Sequence, residues 1–76
     1  MQERLIILRK KKNVTQRQLA DLLGISVKAY GFKELGKTEF TMNEMFLIAK
    51  YFSKNIDEIF LPSLLQNGVN KKEEVW

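Results

Sequence analysis

Apolar residues recur along most of the chain at the three- and four-residue spacing typical of helices. Leu5 and Leu8 begin this pattern, and Leu19 and Leu23 continue it. Little of the sequence alternates between apolar and polar residues, as a half-buried strand would. The pattern predicts an all-α fold, a compact bundle of five short helices.

Capping signals divide the pattern into separate helices. In a capping box, a Ser, Thr, Asp or Asn at the N-cap is followed three residues later by Glu or Gln. Thr15 with Gln18, Thr41 with Glu44, and Asn55 with Glu58 are such pairs, and each stands just before an apolar segment. They predict the starts of the second, fourth and fifth helices, while the first helix is expected from Gln2 to Lys12.

The connection between the second and third helices is unusually short. Gly24 favours a sharp stop because glycine tolerates a positive φ just past a helix end. Ser26 then caps a third helix, predicted from Val27 to Leu35 and ended by Gly36. Two helices joined by about three residues must cross steeply, as in a helix-turn-helix.

The later helices carry the rest of the predicted core. The fourth runs through Phe52, and its inner positions are Met45, Ile48, Ala49 and Phe52. The fifth contributes Ile56, Ile59 and Phe60 and is interrupted by Pro62. We expect one domain over residues 1–66, followed by a polar C-terminal tail over residues 67–76.

The amino-acid inventory excludes several classes of function. The 76 residues include no cysteine and no histidine, which excludes zinc fingers, thiol or histidine catalysis and disulfide frameworks. Asp57 and Glu58 are adjacent carboxylates, but a helix cap explains them and no nucleophile or base accompanies them. We expect no enzyme, no cofactor or metal, and no small-molecule substrate.

The apolar run Leu5 to Leu8 is too short for a signal peptide or a membrane span. We therefore expect a cytoplasmic protein without a membrane partner.

Positive charge is concentrated in the first half of the chain. Residues 1–37 hold nine Lys and Arg against three Asp and Glu, whereas the remainder has a net charge of −2. This asymmetry indicates a face that meets a polyanion, although an ordinary solvated surface would give the same balance.

Several segments together resemble a known DNA-binding domain. They read LRKKKNVTQRQLADLLGIS, KELGK, FTMNEMFLIAKYF and NIDEIF. Over residues 4–60 the chain resembles the phage-repressor and Cro type of helix-turn-helix domain, the XRE or lambda repressor-like family. The resemblance implies a sequence-specific transcriptional regulator, a repressor that binds a double-stranded DNA operator as a homodimer. Its operator is expected to be an inverted repeat, with the third helix in the major groove.

The resemblance also assigns base-reading residues: Val27, Lys28, Gly31 and Phe32. Lys28 is expected to hydrogen-bond guanine, and Val27 or Phe32 to pack against a thymine methyl. Gly31 has no side chain to read with. It indicates close approach to DNA or to another helix, or else a position at which no particular side chain is required.

Contacts with the DNA backbone are expected from Gln16, Arg17, Ser26, Lys33, Lys37 and Thr38. By resemblance, the Gln16 position clamps the backbone or braces a reader. The run from Arg9 to Lys12 adds longer-range attraction or is simply a solvated helix end.

The third helix departs from the family pattern at Tyr30 and Lys33, where apolar residues are usual. Tyr30 can fill the core if its hydroxyl reaches water or a phosphate. Lys33 can bury its aliphatic stem while its amine reaches solvent. Alternatively, Ile25, Ala29 and Phe32 form the inner line of a slightly rotated helix.

A second surface is predicted from apolar residues that a monomer would not need: Leu47, Tyr51, Leu61, Leu64 and Leu65. Such a patch indicates a homodimer interface, although the last three leucines would also serve to close the core. The patch also supports a different function, an antitoxin or adaptor module that binds another protein and contacts DNA only secondarily.

Overall fold

Five α-helices and no strand make up residues 1–60, the part of the chain that the computed structural model describes. They are α1 (Glu3–Lys11), α2 (Gln16–Leu23), α3 (Val27–Leu35), α4 (Met42–Phe52) and α5 (Ile56–Ile59). The all-α prediction is confirmed. None of the helices in residues 1–60 has the length and apolar character needed to cross a bilayer. Pro62, the domain limit at residue 66 and the tail lie outside the described residues.

The predicted capping boxes start α2 and α4. Thr15 Oγ1 accepts the Gln18 backbone N–H at 3.1 Å, and Gln18 Oε1 accepts the Thr15 backbone N–H at 2.7 Å. Thr41 and Glu44 make the same pair of bonds at 3.1 and 2.9 Å. Each box satisfies two backbone donors that would otherwise lack a partner at the helix start.

Left-handed backbone conformations end four of the helices. Gly24 has φ 72° after α2 and Gly36 has φ 86° after α3, as the sequence predicted. Asn13 after α1 and Ser53 after α4 also have positive φ, of 58° and 57°. These turns let short helices change direction within one or two residues, which brings α1, α2 and α3 around one core.

The core combines the predicted aliphatic positions with a chain of aromatic rings. Its buried apolar members are Leu5, Leu19, Ala20, Tyr30, Phe40, Ile48, Ala49, Ile59 and Phe60. Tyr30 meets Phe40 edge-on at a centroid distance of 5.9 Å, and Phe40 meets Phe60 in the same way at 5.1 Å. Edge-to-face pairs of this kind contribute about 0.5–1.5 kcal/mol each beyond area burial.

The rotated alternative for α3 is wrong. Tyr30 is fully buried and Glu34 nearly so, while Phe32 remains 37% exposed. Phe32 therefore does not form an inner line with Ile25 and Ala29. The helix keeps Tyr30 inside because the phenol finds a hydrogen-bond partner within the protein.

Candidate nucleic-acid interface

The short connection between α2 and α3 fixes the orientation of α3. Gly24 ends α2, the Ile25 backbone N–H donates to the Ala20 carbonyl at 3.0 Å, and Ser26 Oγ accepts the Ala29 N–H at 3.0 Å. Of all helix pairs among residues 1–60, α2 and α3 are in the most extensive contact. This is the geometry of a helix-turn-helix, in which the second helix of the pair is held out for recognition.

A buried carboxylate joins the first three helices. Glu34 in α3 accepts from Arg9 Nε of α1 at 2.7 Å, from Gln16 Nε2 of α2 at 2.9 Å and from the Tyr30 hydroxyl at 2.7 Å. Arg9 Nη2 lies 3.4 Å from the second carboxylate oxygen, and Arg9 Nη1 donates to the Val14 carbonyl at 3.0 Å. We call Arg9, Gln16, Tyr30 and Glu34 the Glu34 junction.

The junction changes the titration of its members. Burial alone would raise the pKa of Glu34, but hydrogen bonds from Arg9, Gln16 and Tyr30 outweigh it and hold that pKa below its usual value. Burial and the neighbouring Glu34 carboxylate raise the pKa of Tyr30. The carboxylate is therefore charged, and the phenol neutral, in the folded protein at neutral pH.

Two expectations for charged and polar residues are corrected by this junction. The Tyr30 hydroxyl donates to Glu34, not to water or a phosphate, because its ring is fully buried. Arg9 is 8% exposed and paired with Glu34, so it does not belong to a solvated helix end. The sequence interpretation missed the Arg9 contact because Glu34 lies 25 residues away along the chain.

An exposed aromatic ring on the outward face of α3 has two cations near it. Lys28 is exposed, and its Nζ lies 5.9 Å from the centroid of the Phe32 ring. Lys37, just after α3, places its Nζ 5.4 Å from the same ring. We call Lys28, Phe32 and Lys37 the lysine-flanked ring.

The other two predicted readers are placed differently. Val27 is partly buried and packs against the hydrophobic core. Beyond its chain neighbours and the backbone of its own helix, a Cβ atom at Gly31 would meet no atom of residues 1–60 within 4 Å. Close packing against another helix within residues 1–60 therefore does not explain this glycine.

Of the predicted backbone contacts, Arg17, Ser26, Lys37 and Thr38 are exposed. Ser26 uses its oxygen as the acceptor for the Ala29 N–H, which leaves its O–H proton able to donate. Gln16 is only partly exposed, and one of its amide protons is donated to Glu34.

Lys33 is placed differently from the expectation that its amine reaches solvent. Its Nζ lies 3.0 Å from Glu44 Oε1 and donates to the Glu39 carbonyl at 2.9 Å, with the side chain 14% exposed. Burial alone would raise the pKa of Glu44, but the Thr41 backbone N–H and Lys33 hold it below its usual value. The Lys33 charge is thus largely neutralised within the protein.

The predicted second surface is partly visible on α4. Tyr51 is 46% exposed and Leu47 is partly buried. Met42 and Phe46, one helical turn apart, are 67% and 63% exposed. The sequence interpretation did not assign these two to a surface. Leu61, Leu64 and Leu65 lie outside the described residues.

The adjacent carboxylates of α5 have local roles. Glu58 Oε1 accepts the Asn55 backbone N–H at 2.8 Å, as expected of a helix cap. Arg4 Nη1 donates to the Asp57 backbone carbonyl at 3.2 Å. Among residues 1–60, no cluster of three or more acidic, histidine or cysteine side chains is arranged to hold a metal ion.

Comparisons with known proteins agree with this geometry. A family model described as helix-turn-helix matches residues 5–59. A crystal structure of a transcriptional regulator from Listeria innocua is similar to the chain, with a TM-score of 0.72 and 27% sequence identity. The similarity covers 97% of this chain but only 61% of that regulator, so the chain spans about three fifths of its length. No curated protein matches the sequence.

Proposed function

The chain belongs to the helix-turn-helix family of DNA-binding domains, of the phage-repressor type, and on this premise we propose that it is a sequence-specific regulator of transcription. In the proposal α3 enters the major groove and α2 lies across the backbone. The observation that carries it is the lysine-flanked ring, which lies at the outward face of a helix fixed by the Glu34 junction.

The placement of individual residues supports the roles that we propose for them. Lys28 is exposed and reaches guanine acceptors, while Arg17, Ser26, Lys37 and Thr38 surround α3 with donors for phosphates. Gln16 braces α3 through Glu34 at 2.9 Å and stands in the first turn of α2, where backbone N–H groups favour an anion. Lys33 contributes little to phosphate binding because Glu44 holds its ammonium group.

The proposal includes a homodimer that acts as a repressor on an inverted repeat. A dimer presents two α3 helices about one DNA turn apart, and occupying a promoter in this way blocks transcription. The exposed apolar side chains of α4 support a partner surface. Such a regulator works beside the chromosome, in the cytoplasm.

Selection of bound duplexes from a random DNA library at near-physiological salt tests the proposal. We expect enrichment of an inverted repeat whose half-sites lie about one helical turn apart. Enrichment of a single half-site would contradict the dimer, and retention without enrichment that disappears as salt rises would contradict sequence-specific reading.

Two substitutions separate reading from electrostatic attraction. Lys28→Ala should cost about 1–3 kcal/mol on the selected duplex and relax specificity at one base pair. Arg17→Ala, an exposed cation on α2, should weaken binding to selected and random duplexes alike and lower the salt dependence by about one phosphate contact. Equal losses on both duplexes for Lys28→Ala would remove it from the readers.

A second candidate function is an antitoxin or adaptor module that binds another protein. The observation that favours it is the exposure of Met42, Phe46 and Tyr51, large apolar side chains on one helix. If the library selection gives no enrichment, while charged substitutions at Met42 and Phe46 abolish association with a genetically neighbouring protein, this function replaces the first.

A further inference from the structure

Lys33 reaches from α3 across the connection to α4, which comprises residues 36–41. Its Nζ donates to the Glu39 carbonyl at 2.9 Å and lies 3.0 Å from Glu44 Oε1. The same Nζ lies 5.8 Å from the centroid of the Phe40 ring. The side chains of Lys33 and Glu44 are each only 14% exposed. One ammonium group, carried by the helix before the connection, therefore contacts three residues at or beyond its far end.

The α3–α4 connection is held at both ends. At its start, Gly36 ends α3 and the Lys37 backbone N–H donates to the Phe32 carbonyl at 2.9 Å. At its far end, Lys33 fixes the backbone carbonyl of Glu39, the residue next to Thr38. Lys37 and Thr38 are exposed between these two attachments. The two side chains proposed to meet phosphates thus lie in a short span that Lys33 closes.

The negative charge of Glu44 is not explained by helix capping alone. Its Oε1 accepts the Thr41 backbone N–H in the capping box of α4. In α2 the neutral side chain of Gln18 performs the same role with Thr15. A carboxylate on this side of the molecule also reduces the attraction of DNA. Its charge has a use here as the partner of Lys33.

We infer that the Lys33–Glu44 pair is a positioning device, which orders the α3–α4 connection so that Lys37 and Thr38 meet DNA phosphates in a conformation they already have. The inference rests on the proposed function, in which these two residues contact the DNA backbone. Side chains that are ordered before binding lose less conformational entropy when the complex forms. Lys33 thus strengthens binding through Lys37 and Thr38 and without touching DNA itself.

Substitution of Glu44 distinguishes a positioning role for Lys33 from a direct contact with DNA. Glu44→Gln keeps a side-chain oxygen for the capping box but removes the charge that holds Lys33. If Lys33 contacted a phosphate, releasing it and removing a negative charge would strengthen binding. We expect instead that binding to the selected duplex weakens about two- to ten-fold, which corresponds to the cost of ordering one long side chain at an interface.

Two further variants complete the comparison. Lys33→Met keeps most of the aliphatic stem and should weaken binding to the same extent as Glu44→Gln. The double variant should lose no more than either single variant, because both remove one interaction. Glu3→Gln is the matched control, since it removes the same charge from an exposed position on α1, and it should not weaken binding.

The salt dependence of binding shows whether Lys33 acts through Lys37. In the parent protein, Lys37→Ala should lower the salt dependence by about one phosphate contact. In the Lys33→Met protein the same substitution should have a smaller effect, because the contact is already weakened. A loss of affinity that came only from reduced fold stability would leave the effect of Lys37→Ala unchanged.

Amide hydrogen exchange of the free protein tests the ordering of the connection without DNA. In Lys33→Met, the Lys37 and Thr38 amides should exchange several-fold faster than in the parent protein, because local opening becomes easier. The Tyr30 amide, which donates to the Ser26 carbonyl at 2.9 Å inside α3, is the internal reference and should change less.

The failures of this inference and of the proposed function are distinct. Stronger binding by Glu44→Gln, additive losses in the double variant, or unchanged exchange at Lys37 in Lys33→Met would overturn the positioning role and leave sequence-specific binding intact. If the parent protein enriches no sequence from the random library, the proposed function fails, and the positioning role fails with it.

Discussion

Gly24 and Gly31 have equally open surroundings but different backbone conformations. Apart from chain neighbours and, at Gly31, the backbone of its own helix, no atom of residues 1–60 lies within 4 Å of where a Cβ would stand at either position. Gly24 has φ 72°, whereas Gly31 lies inside α3 with helical geometry. Conformation, and not crowding, therefore decides what a methyl group would do to stability at each position.

Gly31→Ala and Gly24→Ala should consequently have opposite effects on stability. Alanine at position 31 should raise the free energy of unfolding by about 1 kcal/mol through helix propensity. Alanine at position 24 should lower it by roughly 1–2 kcal/mol because the left-handed conformation strains a Cβ. Chemical denaturation of the two variants beside the parent protein measures both.

Binding of the same variants shows whether Gly31 serves DNA. If the backbone of α3 approaches the bases at Gly31, Gly31→Ala should weaken binding to the selected duplex while it stabilises the domain. Unchanged affinity would mean that DNA binding requires no particular residue at this position. A loss of stability in the denaturation experiment would contradict the open surroundings of Gly31.

At the level of whole elements, the Glu34 junction joins α1 and α2 to α3. Arg9, Gln16 and Tyr30 each donate to one carboxylate, so α3 cannot rotate without breaking bonds to two other helices. A buried ion pair adds little net stability compared with apolar packing, but removing one partner leaves the other charge buried and unpaired. The junction is therefore more important for the orientation of α3 than for the stability of the fold.

Single and double replacements should reveal this imbalance. Glu34→Gln should cost about 3–5 kcal/mol at neutral pH, since it leaves Arg9 charged and buried. Combining it with Arg9→Met should restore much of that loss. Chemical denaturation of the three proteins is the measurement, and a double variant no more stable than the single one would contradict the argument.

The junction should also make stability depend on acid. The folded pKa of Glu34 lies below its ordinary value of 4.5, so the pair's contribution is full above about pH 5 and is lost as the pH falls through the lowered pKa. As the pH falls below about 5, the double variant should lose less stability than the parent protein. The pKa of Glu44 is also lowered, so the stability of the double variant should still decrease somewhat in acid.

The elements themselves were largely predictable from the sequence. Capping pairs such as Thr15 with Gln18 lie three residues apart, and their hydrogen bonds depend on local backbone geometry alone. The contacts of Glu34 were not predictable in this way, because Arg9 and Gln16 approach it only after three helices pack. Tyr30 and Glu34 are four residues apart on one helix, and this spacing was the one local sign of the junction.

For the molecule as a whole, α4 has more apolar side chains than one face can bury. Ile48 and Ala49 reach the core, while Met42, Phe46 and Tyr51 remain exposed. The sequence predicted the inner positions but not the exposure of Met42 and Phe46, because apolar residues nearly surround this helix and its periodicity is weak. In the proposed dimer, a second copy of the chain covers these exposed side chains.

Charge placed on this face should disrupt the dimer. Tyr51→Arg should weaken self-association about ten-fold or more, equivalent to at least ~1.4 kcal/mol. Ile7→Arg, on the exposed side of α1, is the matched control and should leave it unchanged. Sedimentation velocity at micromolar concentration measures both, and a parent protein that sediments as a monomer would contradict the dimer.

The buried Tyr30 ring also makes α3 observable by spectroscopy. It is fully enclosed, meets the Phe40 ring at an angle of 65°, and has its hydroxyl fixed by Glu34. A phenol held rigidly in such asymmetric surroundings gives a near-ultraviolet circular dichroism signal that disappears when the packing loosens. The seating of α3 on the core can therefore be followed without a label, on heating or in acid.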